Sequence, residues 1–443
     1  MPQSASSTSQ LGKQLLFGLL LLLLALPAVQ TARPLVSVTP LDGFTEPVPK
    51  PEFSWDAIQA NTYQPMLERH VETKIGFRPW LVRTRNQLVY WLFKETKVYG
   101  IFPGKDDVLF QQGPINAYLG RLFLGEDEIN FRLRRLRRVQ DSLQAHGTQL
   151  LFLIAPGKAR IFPDMLPDTC TGVWQKRSNY DACIEALRRN NVNFLDTTPL
   201  FLRWQKASPY PLFPRGGAHW SGYATTLVAD TLFRRLEQLT HLDFPDFSSR
   251  GVTVATEDAQ LRYTDNDLMA ACNLIWNVRP YPMAYPNVVF GPGQHKQHPN
   301  VLIIGDSFSQ SFYGFYPYYQ TLFDPRSRFW FYNEDVYWPT ETPGESRRVS
   351  DLNLKEQLAG RNVVLLVAME ENLHKLGFGF IDNAFQQFCP LTAKDSVRIQ
   401  EIEKDILGSE EWRQRLSEKA QARGISLEEA AHNDAMYMQD RER

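Results

Sequence analysis

Cysteine is scarce in this chain: four in 443 residues, with no CxxC pair and no Cys/His spacing of the zinc-binding kind. A disulfide-built scaffold and a structural zinc module are thereby excluded. Net charge is nearly absent as well, with 48 Lys+Arg against 49 Asp+Glu. No whole-chain field draws polyanions, and nothing in the composition argues for nucleic-acid binding. Long apolar runs are missing beyond the N-terminus, which rules out a polytopic membrane protein, and no nucleotide fingerprint is visible. At 43% hydrophobic, 12% aromatic and 22% charged residues the chain is globular rather than disordered, long enough for two or three domains or one elaborated domain.

The one long apolar run is Leu15–Val29, LLFGLLLLLLALPAV, behind a polar stretch whose only charge is Lys13. This is the pattern of an export signal. Fifteen apolar residues are few for a relaxed span, yet the pairs Leu26/Ala28 and Gln30/Ala32 each offer only one small residue to a signal peptidase. An uncleaved signal anchor is therefore expected over a cleaved peptide, with the rest of the chain outside the cytoplasm. An exported chain permits a disulfide, and Cys170 with Cys183 is the natural pair to consider.

Residues 33–52 are proline-rich without apolar periodicity and read as a tether. Trp55 to Lys97 reads as helical, with Arg78, Arg83 and Arg85 set among Trp80, Leu81 and Leu88. Ile129, Leu133, Leu136, Val139 and Leu143 share one helical face, and an arginine-rich face lies largely opposite, expected to be solvated surface. Short apolar runs then alternate with helical patterns: Leu150–Ala155, Val192–Leu195, Val301–Ile304, Arg328–Tyr332 and Val363–Met369. That alternation predicts an α/β domain over 53–393, with a parallel sheet of about five strands covered on both faces. Residues 394–443 lack proline and carry a Trp412, Leu416, Ala420 stripe, predicting a helical appendage.

In an open parallel sheet ligands sit beyond the carboxyl ends of the strands. Three polar clusters occupy such positions: Pro156-Gly157-Lys158, Gly305-Asp306-Ser307-Phe308-Ser309, and Glu370-Glu371-Asn372. A strand running into Gly-Asp-Ser puts Ser307 on a sharp turn at an expected helix N-terminus, where backbone N–H groups can bind an oxyanion. Gly305 is expected to allow the tight turn and Asp306 to organise it; a simple helix cap is the alternative. A serine nucleophile needs a base. Of eight histidines, His219 stands in FPRGGAHWSGY, where glycines shape the loop and Trp220 can fix the imidazole, and His374 is the reserve candidate.

GDSFS after an apolar strand, GGAHWSGYA upstream, PGKARIFPDMLP after an earlier strand and MEENLHKLGFGF near the end together resemble the SGNH-hydrolase-like catalytic domain of the alginate O-acetyltransferases AlgJ and AlgX. The resemblance runs from Phe53 to Ile381 and includes FRPWLVRTRNQLVYWLF and GIFPGKDDVLF. Its motif order, His before Ser, is the permuted one. The resemblance implies a three-layer SGNH-like fold in which Ser307 is the acyl-accepting nucleophile and His219 its base. The family carries an Asp two residues before that histidine, within Asp-x-His-Trp. Here the position holds Gly217. The alternatives are a Ser-His dyad, an acid supplied by Glu370, Glu371 or Asp196, or an inactive relative. Asn372 and the Ser307 N–H are candidate oxyanion donors and Lys158 a candidate substrate contact. Phe312, Tyr313, Phe315, Tyr316, Tyr318 and Tyr319 are expected to be core for the most part, with sugar stacking as the alternative.

The implied activity is transfer of acetyl through an acyl-serine onto hydroxyls of an exported polysaccharide, with no cofactor and no metal. The implied acetyl donor is a membrane-bound O-acyltransferase, and the implied location is the periplasm, held to the inner membrane by Leu15–Val29. A carbohydrate acetylesterase with the same acyl-enzyme, or a non-catalytic scaffold of a polysaccharide-export complex, are the other readings.

Overall fold

The computed structural model describes residues 7–43, 48–170, 175–262, 264–339 and 347–442. Residues 44–47, part of the expected tether, lie outside them. Among the described residues ten strands, numbered in chain order, form three sheets. β1 (Ile101–Pro103) pairs with β2 (Leu109–Gln111), and β5 (Phe247–Ala255) with β6 (Met283–Phe290), both antiparallel. The main sheet comprises β3 (Gln149–Ala155), β4 (Phe194–Asp196), β7 (Val301–Gly305), β8 (Arg328–Phe331), β9 (Asp335–Trp338) and β10 (Val363–Met369), in the order β4-β3-β10-β7-β8-β9. The first five in that order are parallel, and β9 closes the edge antiparallel.

The three central strands read as unbroken apolar runs because both their faces are covered. With a side-chain period of two, Leu151, Leu153, Ile303, Leu365 and Val367 face one layer and pack with the Gly222–Thr240 helix. Leu150, Phe152, Ile154, Ile304 and Leu366 face the other, under the helices Glu126–Ala145, Asn179–Arg189 and Phe380–Phe388. The result is the three-layer α/β arrangement expected, five parallel strands plus one antiparallel edge.

The arginine face of Glu126–Ala145 is not free surface throughout. Arg132 pairs with Glu128, and Arg135 bridges Asp382 and Asp440, the last in the C-terminal helices. Those helices, Ala393–Gly408, Glu410–Arg423 and Leu427–Glu442, enclose a small core of their own around Ile399, Ile402, Ile406, Leu416 and Ala431. The cysteine pairing considered from sequence does not form. Cys183 is buried under the second layer, Cys170 sits by the Val108/Phe110 cluster, and both are free thiols.

At the N-terminus, Ser7–Ala32 is one helix, and its stretch Gln10–Ala32 has the length and apolarity to cross a membrane, with a mean hydropathy of 2.2 over its most apolar 18 residues. The region read as helical from Trp55 divides into Trp55–Gln59, Tyr63–Lys74 and Arg78–Phe93.

Candidate active site

Ser307 lies two residues beyond β7. The chain there makes successive turns from Asp306 to Gln310, and helix begins only at Ser311, so the expected helix N-terminus at the serine is instead a turn. Asp306 builds that turn. Fully buried, it accepts from Met369 N at 2.6 Å, Asn372 Nδ2 at 2.8 Å and Phe308 N at 3.0 Å, tying the end of β7 to the end of β10. Burial pushes its carboxyl above the usual range, while these three donors favour the anion. Gly305 contributes space rather than backbone freedom. It carries no positive φ, but a Cβ there would lie 2.9 Å from the Ser309 Cβ and 3.0 Å from the Val367 Cβ.

The Ser307 Oγ lies 2.8 Å from His219 Nε2, and His219 Nδ1 lies 3.1 Å from Asp267 Oδ2. An ionised carboxylate only accepts, so Nδ1 carries the imidazole proton and Nε2 is left to accept the serine hydroxyl. Asp267 is itself fixed, because its Oδ1 accepts from Ala218 N at 2.9 Å and Leu268 N at 2.8 Å. Phe308, centred 5.0 Å from the imidazole, packs against the ring and is itself backed by fully buried Trp220. Serine, histidine and aspartate thus form a continuous hydrogen-bonded chain.

The other candidates have different places. Glu370 is buried in an ion pair with Arg160 at 2.6 Å, and Asp196 accepts from Tyr180 at 2.8 Å and from Thr198 N at 3.0 Å. The Glu371 carboxylate abuts Gly113, and burial raises its pKa. The His219 ring is held by none of the three, since Asp267 occupies its Nδ1. Lys158 is not a surface contact for substrate. It is 4% exposed, and its Nζ donates to the carbonyls of Leu109 at 2.9 Å, Arg215 at 3.1 Å and Gly217 at 2.8 Å, bracing the histidine loop from beneath. Burial pulls its pKa down to about 7, opposed by Asp267 and Asp265. Three acceptors call for three N–H donors, which only the ammonium has. His374 turns its Nδ1 to the Glu371 carbonyl at 2.6 Å. Phe312, Phe315, Tyr316, Tyr318 and Tyr319 are core, and Tyr313 is half-buried.

Asn372 stays at the site, with one amide hydrogen committed to Asp306. Beside it stands Tyr332, whose hydroxyl faces the side chains of Ser307 and Asn372 and whose N–H donates to Gly305 O at 2.9 Å. Tyr332 and Asn333 both hold left-handed backbone, φ 52° and 58°. Strain of that kind persists where the surrounding structure imposes it, as at functional sites. Burial raises the Tyr332 pKa, so it stays a neutral O–H donor. Among the described residues no three His, Cys, Asp or Glu side chains converge as a metal site.

Residues 101–325 match the family model of the SGNH hydrolase-like domain of acetyltransferase AlgX. The chain belongs to that family. Solved structures similar to it include the O-acetyltransferase domain of Pseudomonas putida AlgJ, 19% identical, with 65% of this chain and 99% of that one aligned and a TM-score of 0.41. Pseudomonas aeruginosa AlgX is 14% identical over 68% of this chain and 69% of that one, with a TM-score of 0.38. Bacillus cereus PatB1 is 13% identical over 63% and 98%, also with a TM-score of 0.38. No curated protein is significantly similar in sequence.

Within the AlgX-type framework the departure at Gly217 has a spatial counterpart. A Cβ on Gly217 would meet Thr264 O at 2.5 Å and Asp265 C at 3.0 Å. The space that a side chain at this position would take is filled by the segment that delivers Asp267. Neither Asp267 nor Tyr332 was singled out from sequence. Tyr332 ends the apolar run Arg328–Tyr332, and applying the strand-end rule to that run would have found it. Asp267 lies 48 residues from His219 and carries no local signature.

Proposed function

We propose that the chain is an O-acetyltransferase that moves acetyl through an acyl-Ser307 intermediate onto hydroxyls of an exported polysaccharide. The observation that carries this reading is the unbroken relay Ser307–His219–Asp267 beyond the end of β7 in an AlgX-type acetyltransferase domain. His219 Nε2 takes the Ser307 proton as Oγ bonds to the acetyl carbonyl carbon. The donor's oxygen leaves with that proton, and the acetyl remains as an ester on Ser307. A sugar hydroxyl then gives its proton to His219 and attacks the ester; the new sugar ester departs and Oγ regains the proton. Asp267 stays ionised, holding the histidine tautomer and the imidazolium that forms in each half-reaction. The Ser307 N–H, Asn372 and Tyr332 are assigned to the oxyanion.

An exported enzyme has no free acetyl-CoA at hand, so the donor assigned is a membrane-bound O-acyltransferase. The helix Gln10–Ala32 supports an inner-membrane anchor with the domain in the periplasm.

The test is cleavage of a chromogenic acetyl ester by the wild type, Ser307→Ala and His219→Ala, followed by competition between water and an oligosaccharide acceptor. Activity lost in both variants, with transfer outpacing hydrolysis, is expected. Hydrolysis that outpaces transfer makes the protein an acetylesterase, and equal inactivity of all three folded proteins makes it a scaffold.

A further inference from the structure

The Arg78–Phe93 helix is built inside out. Its residues turned to the domain are polar: Asn86, Gln87 and Tyr90 are 5%, 2% and 2% exposed. Asn86 Nδ2 donates to Cys272 O at 2.9 Å, the Gln87 side-chain oxygen accepts from Ile275 N and Trp276 N at 3.1 and 2.9 Å, and Tyr90 donates to Asp107 at 2.9 Å. At about 100° per residue, Trp80, Leu81, Leu88, Trp91 and Leu92 fall together on another face, spanning about a third of the circumference. These five are 46–71% exposed, and Trp276, 62% exposed, stacks on Trp91 at 5.5 Å. A helix of a soluble domain buries such a stripe and wets its polar side; a contiguous apolar patch left outward marks a binding surface.

The structure also fixes where this stripe begins. Gly76 N donates to Thr31 Oγ1 at 2.7 Å, and a Cβ on Gly76 would lie 2.5 Å from the Gln30 Cβ and 2.7 Å from Pro27 O. Arg83 donates to the carbonyls of Thr39 and Pro40 at 2.8 and 2.6 Å. The inverted helix therefore starts at the carboxyl end of the apolar Ser7–Ala32 helix. Resting on the signal-anchor reading, that end is where the chain leaves the bilayer. Tryptophan is favoured at this depth, and exposed Arg85 stands beside the stripe to meet anionic headgroups. We propose that the outward face of Arg78–Phe93, with Trp276, lies in the outer leaflet interface of the membrane that anchors the chain, holding the catalytic domain against the lipid surface.

The Ser7–Ala32 helix contains no tryptophan, so quenching of tryptophan emission by brominated acyl chains reports on the domain alone. The full chain is reconstituted in phosphatidylethanolamine/phosphatidylglycerol bilayers with and without brominated chains. The expected loss of emission approaches three-tenths, the share of Trp80, Trp91 and Trp276 among ten tryptophans, and it vanishes in Trp80→Phe/Trp91→Phe/Trp276→Phe. No quenching, or quenching that survives the triple substitution, overturns the proposal. An alkaline carbonate wash separates the causes. An unquenched chain that stays with the membrane keeps its anchor and gives the stripe to a membrane-protein partner, whereas an unquenched chain that washes off refutes the anchor as well.

Discussion

At the scale of single residues, the proposed mechanism makes the reactivity of Ser307 depend on His219, and the orientation of His219 on Asp267. An amide in place of the Asp267 carboxylate can present N–H to the ring and stabilise the tautomer whose proton points at Ser307. Asp267→Asn is therefore expected to keep its fold while ester turnover drops by about 10⁴, read from steady-state kinetics beside an unchanged melting curve. Tyr332→Phe removes one hydroxyl donor and no packing volume. Its kcat should fall by about 10²–10³ with KM nearly constant, as for an oxyanion donor, whereas a purely structural role would lower the melting temperature instead. Ser307 and His219 were legible in the sequence because their settings are local, a strand running into Gly-Asp-Ser and a glycine-framed His-Trp. Asp267 was not, since only the folding of a distant segment against Gly217 brings it to the ring. Glu370 looked available at a strand end, but burial demanded a counter-charge and Arg160 supplies it.

At the scale of elements, the segment from Thr264 to Ala271 replaces a side chain with a piece of main chain. It carries a second carboxylate, Asp265, buried and accepting from Tyr285 at 2.7 Å. Burial raises its pKa from 3.8 to about 7. The native state then binds more protons than the unfolded chain between those values, so the stability present below pH 3.8 is lost as pH rises through 7. Asp265→Asn has no such loss. Its melting temperature, compared with the wild type's, is expected to gain several degrees between pH 4 and pH 8, measured by calorimetry across that range. The main strands were legible as apolar runs because parallel sheets bury both faces. The small antiparallel β5/β6 pair was not, because much of β5 is exposed and its pattern, FSSRGVTVA, carries no continuous apolar run.

At the scale of the whole molecule, the C-terminal helices are joined to the domain by side-chain pairs with the Glu126–Ala145 helix: Arg135 with Asp440, and Arg441 with Glu128 at 2.7 Å. A unit with its own core, attached through partly exposed charges, contributes little to what it borders. Truncation after Thr392 is expected to leave the turnover of a chromogenic ester nearly unchanged and to lower the melting temperature by less than about 5 °C, checked on the purified truncated chain. At the other end of the chain the coupling runs deeper. Asp267 opens a short helix whose continuation, Cys272 to Trp276, is the stretch that Asn86 and Gln87 grip. Asp267 and the inverted helix thus share one strut a few residues long, so in the proposed mechanism disorder in that helix reaches the carboxylate that orients His219.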